Sequence, residues 1–248
     1  NVEPASLVAG ASGNVTVSFT TVNPIPADGK VIIGFPSSFG FNSGGTTAAT
    51  SATMDGTFAV TVSGSTVTVT RSGGTSQASA AETITLSNVR NPQVSGTPGA
   101  AYTIQTKDSV DTLIDSDTNV AADTFTVGAL SSVSVTPASL VAGAVGNVTV
   151  AFTVANPIPA NGDVQVTFPA GFDISSAGYS SGNAGSSVSV SLQVLTINLG
   201  TQILSGPASI VLSNIKNPVV TGSSGTYAFE TQDATDTAIA QGTAAANT

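Results

Sequence analysis

Two acidic pairs at equal spacing are the first residues in this 248-residue chain that can do chemistry: Asp108 and Asp111 in DSVD, and Asp233 and Asp236 in DATD. Asp115 and Asp117 follow the first pair, and Glu230 precedes the second. Carboxylates gathered in a loop between strands supply the hard oxygen ligands that Ca²⁺ takes. The four recurring aspartates are therefore candidate Ca²⁺ ligands, although the spacing is not that of an EF-hand loop. The competing reading is that each Asp caps the backbone N–H groups of its own turn. No other cofactor is indicated.

Enzymatic chemistry has little to work with. The chain has no His and no Cys, which removes Ser-His and Cys-His nucleophiles and the commonest zinc ligands. Glycoside hydrolysis needs only two carboxylates. Yet no acidic pair here is set among aromatic residues that could stack on a sugar, and Trp is absent. The expectation is a protein that is not an enzyme.

Two N-x-[S/T] sequons, Asn14-Val15-Thr16 and Asn147-Val148-Thr149, are candidate glycosylation sites. A chain this rich in Ser and Thr carries such triplets by chance, and the alternative is an Asn in the Gly-Asn turn that leads into a strand. Net charge is −9, with only five Lys and Arg, so nucleic acid is excluded as a partner. No apolar run approaches a membrane span, so membrane insertion is not expected. The sequence opens at Asn1 without Met or a leader, which reads as a processed chain that is secreted to an extracellular or cell-surface location.

The elements that position these residues occur twice. PASLVAGASGNVTVSFTTVNPIPADGKVIIGFPSSF (Pro4 to Phe39) returns without a gap as PASLVAGAVGNVTVAFTVANPIPANGDVQVTFPAGF (Pro137 to Phe172). ITLSNVRNP (Ile84 to Pro92) returns as IVLSNIKNP (Ile210 to Pro218), and YTIQTKDSVDT (Tyr102 to Thr112) as YAFETQDATDT (Tyr227 to Thr237). Val15, Val17 and Phe19 alternate with Thr16 and Ser18; Val31, Ile33 and Phe35 keep the same spacing and return as Val164, Val166 and Phe168, where the intervening Ile32 becomes Gln165. Such period-two patterning predicts half-buried strands. NPIPA makes a stiff connection that tucks Ile25 or Ile158 inward, and Phe39 and Phe172 plug the end of the core. The predicted fold is all-β: two tandem Ig-like antiparallel β-sandwich domains, residues 1–128 and 129–248. Tyr102 and Tyr227 stand where an Ig-like tyrosine corner places its ring.

These motifs resemble tandem Ig-like repeats of microbial secreted and cell-surface proteins, from the AGxxGxVTVxFT opening through NPIPAxGxVxVxFP to ITLSNxxNP and YxxxT. The resemblance covers most of the chain and implies a fibre, stalk or surface-layer module with no catalytic residues to carry over. One stretch, FTVGALSSV (Phe125 to Val133), lies between the copies and has no counterpart at either end of the sequence. Read as assembly, this makes the chain a homopolymer subunit whose ends, at Val2, Ala244 and Thr248, meet neighbouring subunits head to tail. Read plainly, FTVGALSSV is a linker. An adhesin is the alternative function, with Tyr179 as the aromatic hint of a recognition loop.

Overall fold

The computed structural model describes residues 1–42 and 44–247. They form two compact units, Asn1–Thr126 and Val127–Thr248, called domains 1 and 2 below. Gly128 pairs with Ala240 and so belongs to domain 2.

Domain 1 contains β1 (Val2–Pro4), β2 (Ser12–Thr20), β3 (Lys30–Gly34), β4 (Gly40–Phe41), β5 (Ala49–Thr50), β6 (Thr57–Ser63), β7 (Thr66–Ser72), β8 (Ala81–Arg90), β9 (Tyr102–Lys107) and β10 (Leu113–Val120). One sheet runs β1-β2-β8, with β4 and β5 both on the far side of β8; the other runs β10-β9-β3-β7-β6. Taking β1, β2, β8 and β5 as strands A, B, E and D, and β3, β9 and β10 as C, F and G, the arrangement is the ABED-over-CFG pattern of an Ig-like sandwich. The hairpin β6–β7 is added on the free side of β3.

Domain 2 repeats it with β11 (Gly128–Ala129), β12 (Ser131–Pro137), β13 (Val145–Val154), β14 (Asp163–Thr167), β15 (Gly178–Gly182), β16 (Gly185–Ser191), β17 (Val194–Leu199), β18 (Gly206–Lys216), β19 (Tyr227–Gln232) and β20 (Ala238–Ala244). Its sheets run β12-β13-β18-β15 and β11-β20-β19-β14-β17-β16. Among the labelled strands, β11 pairs with β20 in parallel and the other pairings are antiparallel; Val8 and Thr126 form an isolated parallel bridge. Among the described residues there is no helix, hence none that could cross a membrane.

Alternation explains the layers. In domain 1, Val15, Val17, Ile84 and Leu86 of one sheet meet Val31, Ile33, Val67, Val69 and Ile104 of the other in one buried cluster. Ile25 and Ile158 are buried, as NPIPA requires, each holding a two-way backbone bridge, to Gln77 and Ile203 respectively. One end of each core is closed by three rings. Phe35, Phe39 and Tyr102 lie 5.2–5.7 Å apart, and Phe168, Phe172 and Tyr227 lie 5.5–5.8 Å apart. Edge and tilted contacts of this kind add to the burial of each ring. Domain 1 has two further rings in this group: Phe41, 5.2 Å from Phe35, and Phe125, 5.7 Å from Phe39.

Candidate functional site

The segment Phe125–Leu130 finishes an edge in each domain. Phe125 and Gly96 exchange both backbone hydrogen bonds, at 2.9 and 2.8 Å, and the Phe125 ring is buried. Thr126 donates its N–H to the Leu7 carbonyl (2.8 Å) and accepts from Ala9 N–H (2.8 Å). Phe125–Thr126 is thus a short strand laid between two loops of domain 1. Gly128–Leu130 does a different job in domain 2. Gly128 and Ala129 run parallel to β20, and Leu130 donates to the Gln241 carbonyl with its own side chain buried. Gly242 is required there: a Cβ would lie 2.9 Å from the side chains of Leu130 and Val133.

Along β10 of domain 1, no strand plays the part of β11 among the described residues. A cleft of about 390 Å³ runs there, lined by Phe19, Thr21, Ile104, Asp115, Asp117 and Val120. Asp117 stands opposite Ile104 where Gly242 stands opposite Phe229, so this cleft carries a carboxylate at the register position where its counterpart receives Leu130. In domain 2, nothing among the described residues takes the place of Phe125–Thr126. A groove of about 280 Å³ lies there between Leu140, Phe172, Pro218, Val220 and Asn247.

Both loops of this groove are held rigidly. Asn217 donates its side-chain amide to the carbonyls of Ser139 (2.7 Å) and Val141 (3.0 Å), and Gly143 N–H donates to the Pro218 carbonyl (2.9 Å). Asn91 holds Ser6 and Val8 at 2.6 and 3.0 Å, with Gly10 on Pro92, in the occupied domain 1. These two asparagines were not singled out in the sequence; the signal was the repeated Asn-Pro of ITLSNxxNP.

The aspartate pairs sit in the β9–β10 and β19–β20 turns. Asp108 accepts from Val110 and Thr112 N–H (3.0 and 2.7 Å), and Asp233 from Thr235 and Thr237 N–H (both 2.9 Å) and the Thr235 hydroxyl (2.8 Å). For Asp233, partial burial acts upward, but the Thr237 and Thr235 hydrogen bonds outweigh it and hold the carboxyl below its usual value. Asp111 and Asp236 occupy the left-handed backbone region at φ 70° and 61°, which Asp tolerates in turns. Asp111 pairs with Lys30 at 2.8 Å, and that hydrogen bond and charge lower its carboxyl. The counterpart of Lys30 is Asp163, whose carboxyl is raised by burial and then by the charge of Asp236. Among the described residues, no group of three or more His, Cys, Asp or Glu is placed to hold a metal ion.

Asn14 and Asn147 are exposed at matching β-bulges, where the ladder skips from Gly13 to Val15 and from Gly146 to Val148. Val2 is fully buried against its own domain opposite Val17, and Ala244 is buried opposite Tyr227. Their side chains fill their own cores. Thr248 lies outside the described residues. Tyr102 is buried and donates to Asp123 (2.8 Å); Tyr227 receives Asn247 at 2.9 Å. Tyr179 donates to the Gly182 carbonyl on its own strand (3.0 Å).

No family model matches the chain, and no curated protein matches it. Among solved structures, it is similar to the type II cohesin dyad from the adaptor ScaA scaffoldin of Acetivibrio cellulolyticus. That match has 9% identity and a TM-score of 0.28, covering 98% of this chain and 96% of the other. It is also similar to the collagen binding domain of the Erysipelothrix rhusiopathiae surface protein RspB, with 11% identity and a TM-score of 0.23, covering 99% and 92%. At these scores the likeness carries no argument about function, and the Ig-like sandwich rests on the strand order above.

Proposed function

We propose that this chain is a non-enzymatic structural subunit of an extracellular filament or surface coat, assembling head to tail so that neighbouring chains cover incomplete sheet edges. The observation that carries the reading is the double use of Phe125–Leu130. One short segment finishes an edge of domain 1 and then an edge of domain 2, so each sandwich completes a sheet with a strand from the stretch between the repeats. Open edges of this kind template pairing with another chain. A heterologous contact that does not close on itself propagates as a fibre.

Glycans at Asn14 and Asn147 fit this reading, because both side chains are exposed on bulges where a sugar would not disturb the ladder. The adhesin alternative has no comparable support: Tyr179, its one aromatic candidate, is engaged by its own strand. Electron microscopy of the purified protein and of native material tests the proposal. Regular filaments with an axial repeat of one or two domain lengths are expected. Dispersed monomers at high concentration in both preparations would overturn it. Intact-mass measurement on native material checks the glycans, and a mass equal to that of the bare chain would remove them.

A further inference from the structure

Sheet edges invite pairing with a second chain, and folded proteins blunt them with short strands, bulges, proline or charge. Nearly every edge of this protein is blunted in one of those ways. β1, β4, β5 and β11 are two or three residues long. β10 carries Asp115 and Asp117 and breaks register twice. β12 breaks register and ends on Pro137, and β15 and β16 each contain a register shift. β6 is the exception among the described residues: seven residues, TFAVTVS, with no charge, no proline and an unbroken register against β7.

The hairpin fixes which backbone groups of β6 face outward. Gly64 and Ser65 form a two-residue loop, with Gly64 at φ 58° in its first position, so Ser63 and Thr66 are a hydrogen-bonded pair. By alternation Thr61, Ala59 and Thr57 also bond to β7, and the N–H and C=O groups of Phe58, Val60 and Val62 point away from it. Arg71, opposite Phe58, fits this parity: its N–H goes to the Gly29 carbonyl on the far side, at 3.0 Å. No strand lies on the outward side of β6 among the described residues. Thr57, Ala59, Thr61 and Ser63 are exposed, while Phe58, Val60 and Val62 turn inward and are half-buried against the core.

This edge is complementary to itself. About a two-fold axis at Val60, Val60 meets Val60 of a second copy, Phe58 meets Val62, Ala59 meets Thr61, and Thr57 meets Ser63. Each inward apolar residue then faces an apolar one, each exposed small residue faces another, and no charge enters the contact. The three outward residues of each strand exchange both backbone hydrogen bonds with their opposites. We propose that β6 pairs antiparallel with β6 of a second copy of this chain, in that register, joining two five-stranded sheets into one of ten strands. The contact is isologous and uses up the edge, so it closes as a dimer and does not propagate. It is built from residues inside domain 1 and is separate from the head-to-tail contact proposed above. Domain 2 does not repeat it, because the ladder of β16 is shifted between Gly185 and Ser187.

Sedimentation velocity of the full chain tests the pairing. A monomer–dimer equilibrium with a Kd of about 10–100 μM is expected. Ala59→Lys combined with Thr61→Lys sets lysine opposite lysine at both Ala59–Thr61 contacts and should weaken the dimer roughly tenfold or more. Both positions are exposed, so the thermal melt should change little. Glu at the same two positions should weaken the dimer as much. An equimolar mixture of the Lys and Glu chains should recover it, because opposite charges then face each other. Amide exchange at Phe58, Val60 and Val62 should slow as chain concentration rises, while the Ala59 and Thr61 amides, already bonded to β7, should hold steady. A monomer at about 1 mM chain, undiminished dimerisation of the Lys variant, or a mixture that stays monomeric overturns the proposal. Dimers whose Phe58, Val60 and Val62 amides remain unprotected overturn it as well, since another surface would be holding them. Filaments that form with β6 unprotected would remove this inference alone. Dimers with β6 protected, and no filaments, would remove the assembly reading alone.

Discussion

Phe125→Ala should lower the stability of domain 1 by about 3 kcal/mol and leave domain 2 untouched. Truncating a fully buried Phe costs roughly 3–5 kcal/mol, the spread reflecting how well the site collapses. Phe125 is 2% exposed and packs on Phe39, so the transfer loss is nearly complete. Domain 2 indicates how the site relaxes, because there the ring has no counterpart among the described residues and Phe172 and Tyr227 are still buried. Phe168, Phe172 and Tyr227 close their group without such a ring, which places the cost at the low end. The backbone bridge to Gly96 survives the substitution and limits the loss further. For a domain of this size, about 3 kcal/mol corresponds to a fall in Tm of roughly 10 °C. Differential scanning calorimetry of the whole chain would read it, with the domain 2 transition as internal reference. Hydrogen exchange at the Gly96 and Phe125 amides would read it independently should the transitions overlap. A fall of less than about 2 °C would show that the joining segment is a passive linker on domain 1. An equal fall in both transitions would show that the two domains do not unfold as the separate units assumed here.

Four further outcomes follow from single residues. Glu82 is 1% exposed with both carboxylate oxygens unpartnered among the described residues, and domain 2 has Ala208 at this place, so Glu82→Ala should stabilise domain 1 by about 1 kcal/mol in denaturant titration; a loss would mean the carboxylate is satisfied. Burial, and then the neighbouring Asp123, push the Tyr102 phenol upward, so above about pH 10 the unfolded chain releases a proton that the folded domain keeps. Stability of domain 1 should then fall by about 1.4 kcal/mol per pH unit, and Tyr102→Phe should flatten that slope. Asp163→Lys recreates beside Asp236 the pair that Lys30 makes with Asp111, and should raise the domain 2 Tm by the few degrees that about 0.5–1 kcal/mol gives; no change would mean the like-charge contact is fully screened. Chelation by EDTA should leave both melting transitions within about 1 °C, because the turn N–H groups already satisfy Asp108 and Asp233; a larger fall would place a cation on those turns.

The architecture was legible because the chemistry that sets it is local. Period-two runs such as Val15-Val17 and Val31-Ile33 can bury only one face, and Pro and Gly mark where they stop. Phe39 and Phe172 at the core end, and Ile25 and Ile158 under their loops, followed from where those strands stop. The hairpin β6–β7 could be read as two strands but not placed, since its docking beside β3 rather than in chain order is a non-local choice. The candidate site was legible only in part. The absent counterpart of FTVGALSSV pointed to the edges, yet it pointed at Val2 and Ala244, which the fold buries. What the structure places there is a groove lined by Leu140, Ala142 and Gly222, whose backbone groups have no sequence signature. Their placement depends on Asn217, which looks in sequence like one more polar residue before a proline.

The duplication therefore does more than repeat a fold: each copy is a control for the other at the places where they differ. Where domain 1 has Lys30 against Asp111, domain 2 has two carboxylates; where domain 1 buries Glu82, domain 2 has Ala208. Those differences are substitutions that each sandwich tolerates. The difference at Phe125 is of another kind, because the groups that receive it, the Asn clamp, the Gly on Pro and the ring floor, are kept in the copy where no strand lies on them. The Asn clamp and the Gly-on-Pro hydrogen bond are therefore features that each sandwich builds from its own repeat, Asn91 with Gly10 in domain 1 and Asn217 with Gly143 in domain 2, and they fix the two loops at that end of the core independently of any strand laid between them.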